Sequence, residues 1–246
     1  MRVPSFVLLV LHLLVQRFRD RRLTKCLRID LDQEEVELFR VDMKAVAETV
    51  VIAGWETSRT QDTRKARWFR MRFDRQSAPW MFRRGEPFRL SQSLELLAAL
   101  VALMIFVPRE GPRRHGRARM RGTTDNKANR YVAKKLLTTK WPGLGVLCEL
   151  TEQLERRNMV LQLDHVPRLQ NEEADALTND VVAAFTPGLE LKVVPEDLEF
   201  AVLHDLLETG EQYYAEEYEA IKRQASEGCE AEKAPKKRPL RQRDPW

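Results

Sequence analysis

Residues Leu94 to Met104 read Leu-Glu-Leu-Leu-Ala-Ala-Leu-Val-Ala-Leu-Met, a run of good helix formers that is apolar nearly all round and interrupted by one acid, Glu95. A helix without a polar face is not stable on a surface and has to be buried against a sheet. Strands must therefore flank it. Leu38 to Asp42, Thr49 to Trp55 and Trp68 to Phe73 are short, rich in β-branched and aromatic residues, and follow one another closely, which predicts an antiparallel meander before the helix. Leu90-Ser91-Gln92-Ser93 offers a cap at its start.

Beyond it, Met120 to Asp125 is a candidate fourth strand, Asn129 to Leu137 a helix, and Leu144 to Arg157 another. In that last helix Leu147, Leu150 and Leu154 share one face, with Glu149, Glu152 and Glu155 elsewhere. Met159 to Val166 alternates as a strand does and Pro167 ends it; Asn171 then caps a helix with Glu172 and Glu173 in its first turn and Ala174, Leu177 and Val181 along one stripe. The order is βββαβααβα, a meander running into a helix-linked sheet. After Pro187 the pattern is mostly helical, over Leu198 to Leu207 and Gln212 to Ala225.

Composition limits what such a chain does. With 43% hydrophobic residues among 246 it can build a core, and its three cysteines, far apart, exclude a disulfide framework or zinc knuckle and suit an intracellular setting, nuclear or cytoplasmic. The apolar run Val3 to Val15 is too short to span a bilayer and precedes its arginines, the reverse of a signal peptide, so no membrane partner is expected. No GxGxxG or GxxxxGK[ST] loop occurs, and no YxDD polymerase signature. The formal charge of +5 hides segregation. Arg64 to Arg89 holds nine basic residues and two acids, interleaved with Trp68, Phe69, Phe73, Trp80, Phe82 and Phe88, and Arg109 to Arg121 holds six arginines and one acid. Such stretches suit a phosphate backbone with stacked bases, or else a solvated strand face with its aromatics turned into the core.

Four acids stand in unusual company: Asp42 within a strand, Glu95 in the apolar helix, Asp125 at the end of the fourth strand, and Asp175 one turn into the helix after Pro167. A carboxylate held in a core-facing segment needs a cation, a hydrogen-bond network or a metal. Four of them brought to one end of a sheet would make an oxygen-ligand site for Mg²⁺ or Mn²⁺. Two such ions about 3.5–4 Å apart suffice for phosphodiester hydrolysis without a nucleophilic side chain.

The order Asp, Glu, Asp, Asp on strand, helix, strand, helix, with the segment His165 to Asn179 (HVPRLQNEEADALTN), resembles retroelement ribonucleases H. Thr124 to Arg130 (TDNKANR) and Leu137 to Lys140 (LTTK) look more specifically like the ribonuclease H region of DIRS-like retroelement polyproteins. The resemblance covers about Phe39 to Asn179. It implies a ribonuclease H-like α/β fold, a mixed five-stranded sheet with an antiparallel meander and then parallel strands, flanked by helices. It implies that Asp42, Glu95, Asp125 and Asp175 are catalytic and metal-ligating, that Mg²⁺ or Mn²⁺ is the cofactor, and that an RNA–DNA hybrid is the substrate. Asn126, Asn129, Arg130, Arg168, Arg83 and Arg84 are the candidate nucleic-acid contacts, Asn126 alternatively being a helix cap. On this reading residues 1–35 are an apolar helix and linker left from a reverse transcriptase connection, that polymerase domain being a further partner. Residues 36–186 are the ribonuclease H-like domain, 187–228 a helical extension and 229–246 a disordered basic tail.

One departure from the family is plain. Pro167 to Asn171 is short and has no counterpart of the mobile histidine that cellular ribonucleases H carry before the last aspartate; His165 sits inside the preceding strand. Glu95 also has a structural alternative, reaching out to Arg89, and Asp125 could be a turn residue. The rival functional readings are a catalytically degenerate module that binds hybrid or RNA without turnover, and a scaffold or peripheral membrane protein using the apolar N-terminus.

Overall fold

The strand β1 (Glu37–Val46) turns back into β2 (Thr49–Glu56), which turns back into β3 (Trp68–Phe73). In the computed structural model, which describes residues 10–11, 15, 37–82, 87–109, 118–138 and 140–210, these three strands pair antiparallel. β4 (Ala118–Thr124) and β5 (Met159–His165) add in parallel on the far side of β1, giving one sheet of order β3-β2-β1-β4-β5. The helices are α1 (Ser91–Phe106), α2 (Lys127–Lys135), α3 (Gly143–Arg156) and α4 (Glu172–Thr178). Element order and the mixed five-stranded sheet are those expected from the sequence.

Side-chain alternation divides the sheet into two faces. Phe39, Val41, Val50, Ile52, Phe69 and Met71 meet α1 and α3 in the main core, where Leu94, Leu97, Ala98, Val101 and Leu150 join them. The register Arg40↔Trp55, Asp42↔Ala53, Ala53↔Arg70 and Trp55↔Trp68 puts these residues together on the other face. There α4 covers Ala53, Trp55 and Trp68 with Ala174 and Leu177, and Phe185 closes the cluster. Pro87–Phe106 has the length and apolarity of a membrane span, yet it is the core helix with its lead-in turn, 67% buried.

The parallel pairing of β1 with β4 needs a glycine. Phe39 lies opposite Gly122, and a Cβ there would stand 2.4 Å from the Phe39 ring. Gly122→Ala is expected to lower the urea midpoint by an amount equivalent to about 1–3 kcal/mol, through overpacking, with the slope unchanged.

Several boundaries differ from expectation, each for a local reason. α1 starts at Ser91 because the 3₁₀ turn Pro87–Leu90 runs straight into it, so no serine side chain caps it and Ser93 is buried within. α2 starts at Lys127 because Asn126 caps it, accepting from the Ala128 N–H at 2.9 Å. Val181, expected on the buried stripe of α4, is 56% exposed: the helix ends at Thr178 and Asp180, at φ 62°, turns the chain away. The helix expected over Leu198 to Leu207 is a 3₁₀ turn at Pro195–Asp197 followed by helical residues 203–210.

The basic stretch from Arg64 follows the second of its two readings, a strand face with its aromatics turned into the core. Trp68, Phe69, Phe73 and Phe82 go into the core. Arg67 pairs with Glu56 at 2.7 Å, Arg70 and Arg72 with Asp180 at 2.6 and 3.0 Å, and Arg75 with Glu48 at 3.0 Å. Arg83 and Arg84 lie outside the described residues, as do the middle of the Arg109 to Arg121 stretch, Gln212 to Ala225, the tail, and the N-terminal segment apart from Val10, Leu11 and Val15. Val10 packs beside Trp141 and Leu206.

Candidate active site

The four singled-out acids arrive at the site from four elements. Asp42 lies on β1 and its Oδ1 accepts the Met43 N–H at 2.8 Å. Asp125 is the first residue after β4, and continuing the offset Arg40↔Thr123 by two residues sets it beside Asp42 on the neighbouring strand. Glu95, one turn into α1, accepts from Thr124 Oγ1 at 3.0 Å and from Asn126 Nδ2 at 3.2 Å, so it grips the residues on both sides of Asp125. It does not reach out to Arg89. Its position follows from the apolar helix: every other residue in that turn is needed by the core, and the acid is carried in with them.

Asp175 is delivered by α4, which the β5–α4 turn pins to β1 at two points. Arg40 Nη1 donates to the Gln170 carbonyl at 2.9 Å, and Asn171 Nδ2 donates to the Val41 carbonyl at 3.0 Å. Asn171, expected as a side-chain cap, therefore sits at the N-cap position without capping; its amide is used across to the strand that bears Asp42. Asp175 Oδ1 accepts from Arg168 through Nε at 3.1 Å and through Nη2, and its Oδ2 accepts from Asn179 Nδ2 at 3.0 Å. Asn179 in turn accepts from Lys44 Nζ at 2.7 Å.

Charge coupling links Asp42 to Asp125, Asp175 and Arg168, and Glu95 to Asp125 and Asp42. Burial, then Asp125 and to a lesser degree Asp175, push the Asp42 carboxyl from its ordinary 3.8 up to about 7, against the pull of the Met43 N–H. Burial, Asp125 and Asp42 push Glu95 up to about 8, although Asn126 and Thr124 bond to it. Arg168 is the cation facing them, its guanidinium held above its usual range by Asp175 and, more weakly, by Asp42 and Asp125. Asp42 and Glu95 are 4% and 8% exposed, and no cation bonds to either among the described residues. Perturbed, uncompensated carboxyls of this kind mark sites that take up a positive charge.

The residue type, four carboxylates, fits hard, oxygen-seeking divalent cations. The groups are not gathered as a ready-made cage: among the described residues no three His, Cys, Asp or Glu stand at metal-holding separation. That openness agrees with mutual repulsion among the acids and with Arg168 drawing Asp175 to itself.

The remaining sequence candidates fall out differently. Asn126 is both cap and partner of Glu95. Asn129 is fully buried and its amide donates to the Gln92 carbonyl at 3.0 Å, so it joins α2 to α1 and does not present itself to a substrate. Arg130 is exposed on α2 and lines a cleft of about 420 Å³ beside the edge strand β5, together with Arg119, Lys134, Gln162 and Asp164. Arg40, Lys44 and Asn179, which hold the Asp175 arm in place, were not singled out; nothing in their local sequence marks contacts made across 130 or more residues.

No protein-family profile and no curated protein matches the chain. Solved structures similar to it include RNase H1 from the halophilic archaeon Halobacterium salinarum NRC-1, at 17% identity over 58% of this chain and 95% of that one, with a TM-score of 0.39. The N-terminal RNase H domain of Rv2228c from Mycobacterium tuberculosis, solved as a fusion with maltose-binding protein, aligns at 14% identity over 61% and 96% of the two chains, TM-score 0.40. LC11-RNase H1, solved in complex with an RNA/DNA hybrid, aligns at 17% identity over 58% and 94%, TM-score 0.41.

Proposed function

We propose that the chain is a ribonuclease H-type endonuclease that hydrolyses the RNA strand of an RNA–DNA hybrid with the help of Mg²⁺ or Mn²⁺. The observation that carries this reading is the pair Asp42 and Glu95, two nearly buried carboxyls with no cation bonded to either, both coupled to Asp125. Asp42, Asp125, Glu95 and Asp175 would hold the ions. Bound there, divalent cations supply activation of a water and charge stabilisation at the leaving oxygen. The protein's own part is positional. Met43 N–H holds Asp42, Thr124 and Asn126 hold Glu95, and Asn179 holds Asp175. Preference for RNA would rest on the 2′-hydroxyl. Exposed Arg130 is a candidate backbone contact, as are Arg83 and Arg84.

The wording of His165 to Asn179, of Thr124 to Arg130 and of Leu137 to Lys140 supports an origin in a retroelement polyprotein, with its reverse transcriptase domain as a partner and an intracellular site of action. A second reading, a hybrid-binding module without turnover, is favoured by the lack of a ready-made three-ligand cage among the described residues. The deciding experiment offers a hybrid with a labelled RNA strand, and separately duplex DNA, with Mg²⁺ or with EDTA. The nuclease reading expects cleavage of the RNA strand alone and only with Mg²⁺; salt-sensitive binding of intact hybrid under both conditions would replace it with the second reading.

A further inference from the structure

The two edges of the sheet are finished differently. At β3 the chain that follows α4 comes back along the strand: Trp68 makes a parallel bridge with Glu190, the Leu191 N–H donates to the Trp68 carbonyl at 2.7 Å, and Trp68 Nε1 donates to the Thr186 carbonyl at 3.0 Å. At β5 nothing comparable happens; among the described residues it pairs with β4 alone. The Asn158 carbonyl accepts from the Ala118 N–H and the Val166 N–H donates to the Thr124 carbonyl. The even-numbered residues between them therefore turn their backbone groups to β4, and those of Leu161 and Leu163 point off the open edge.

The cleft of about 420 Å³ runs along that edge, since side chains from both faces of β5 line it, Leu161 and Leu163 from one and Val160 and Gln162 from the other. Leu136 and Leu154 extend its apolar part, and Val160 and Leu136 are 42% and 51% exposed. The rim is basic. Arg130 and Lys134, one turn apart on α2, are exposed and have no acidic partner among the described residues. Of the two acids in the lining, Glu155 has a partner of its own and Asp164 is held by Arg121 at 2.7 Å. From Asn126 to Lys140 the sequence contains five cations and no acid.

An open strand edge is where another chain can add a strand. A second copy of this chain is disfavoured, because antiparallel pairing of two β5 strands would bring two basic α2 rims together on one face of the joined sheet. A phosphate backbone would use the rim but neither the apolar floor nor the free backbone groups. We propose that the open edge of β5 is a docking site for an extended acidic peptide of a partner protein, which adds to the sheet as a sixth strand. Its backbone pairs with Leu161 and Leu163, its apolar side chains enter the cleft, and its carboxylates meet Arg130 and Lys134. This inference is independent of what the four acids do.

The probe is a fluorescein-labelled octapeptide of alternating valine and glutamate, which offers either face to the cleft, compared by anisotropy on the full chain with its valine and lysine counterpart. The glutamate peptide is expected to bind at least tenfold tighter, and the double variant Arg130→Glu, Lys134→Glu to reverse that order. Amide hydrogen exchange followed by NMR should slow at Leu161 and Leu163 when the glutamate peptide is bound and stay unchanged at Gln162, whose N–H is already used within the sheet. Equal affinity for the two peptides, no binding of either, or binding without slowed exchange at Leu161 and Leu163 would overturn the proposal. Slowing of those two amides by an RNA–DNA hybrid instead would assign the cleft to nucleic acid, and their protection in a peptide-free dimer seen by sedimentation would assign it to a second copy; either result also overturns it.

Discussion

Asp42→Asn is expected to cut hybrid cleavage roughly 10³-fold, about 4 kcal/mol of transition-state stabilisation, while making the cation-free protein more stable at pH 8. Asparagine keeps the shape of the side chain and an oxygen for the Met43 N–H at 2.8 Å. What it removes is the charge. The Asp42 carboxyl is raised from 3.8 to about 7, so the folded chain holds that proton more tightly than the unfolded one. Stability then falls as the pH rises from about 4 to about 7, and the full penalty applies above that. The neutral amide of the variant would escape it. The expected signature is a melting temperature equal to wild type near pH 4 and higher than wild type at pH 8, with a gap that narrows when Mg²⁺ is added, because a bound cation offsets the penalty in the wild type. A gap of the same size at both pH values would mean that Asp42 is not an uncompensated carboxyl. Asp125→Asn should lose cleavage in the same way.

Glu149→Ala should have the largest effect on stability alone, about 3–5 kcal/mol, as expected when one partner of a buried, charged hydrogen-bond network is removed. Glu149 lies on α3 and is fully buried. Its Oε2 accepts the N–H groups of Ala201, Val202 and Leu203 at 2.9, 2.7 and 2.9 Å, and Oε1 accepts Gln153 Nε2 at 2.6 Å. Those N–H groups lead into helical residues 203–210, whose positive dipole end favours a carboxylate. Alanine would leave all three without a partner. Urea denaturation should show the loss, and amide hydrogen exchange should show protection vanishing first over residues 199–210. A loss below about 1 kcal/mol would mean that water replaces the carboxylate easily.

Glu149 also shows where sequence reading runs out. With Glu152 and Glu155 it stands at the spacing of a solvated helix face, and Gln153 and Ala201, which bury it, come from one turn and some fifty residues further on. Asn171 is similar: its place before Glu172 and Glu173 is that of a cap, and only the approach of β1 turns its amide to the Val41 carbonyl. Arg67, Arg70 and Arg72 read as a phosphate track with aromatics between them, yet strand alternation sends Trp68, Phe69 and Phe73 into the core, and Glu56 and Asp180 take the guanidiniums. The element order up to α4, by contrast, was readable, because β-branched and aromatic enrichment in β1 to β3 and all-round apolarity in α1 are local patterns.

The sequence by itself determined which acids ride on which element: Asp42 on a strand, Glu95 inside an apolar helix, Asp125 just past a strand, Asp175 on a short helix. Only the tertiary structure decided what becomes of them. Desolvation depends on neighbours brought from distant parts of the chain, as Thr124 and Asn126 are to Glu95, whereas Asp175 takes its counter-charge from Arg168, seven residues before it. Burial, then Asp125, pushes Asp42 and Glu95 up toward neutral pH, and Asp175 carries Arg168 as its positive partner.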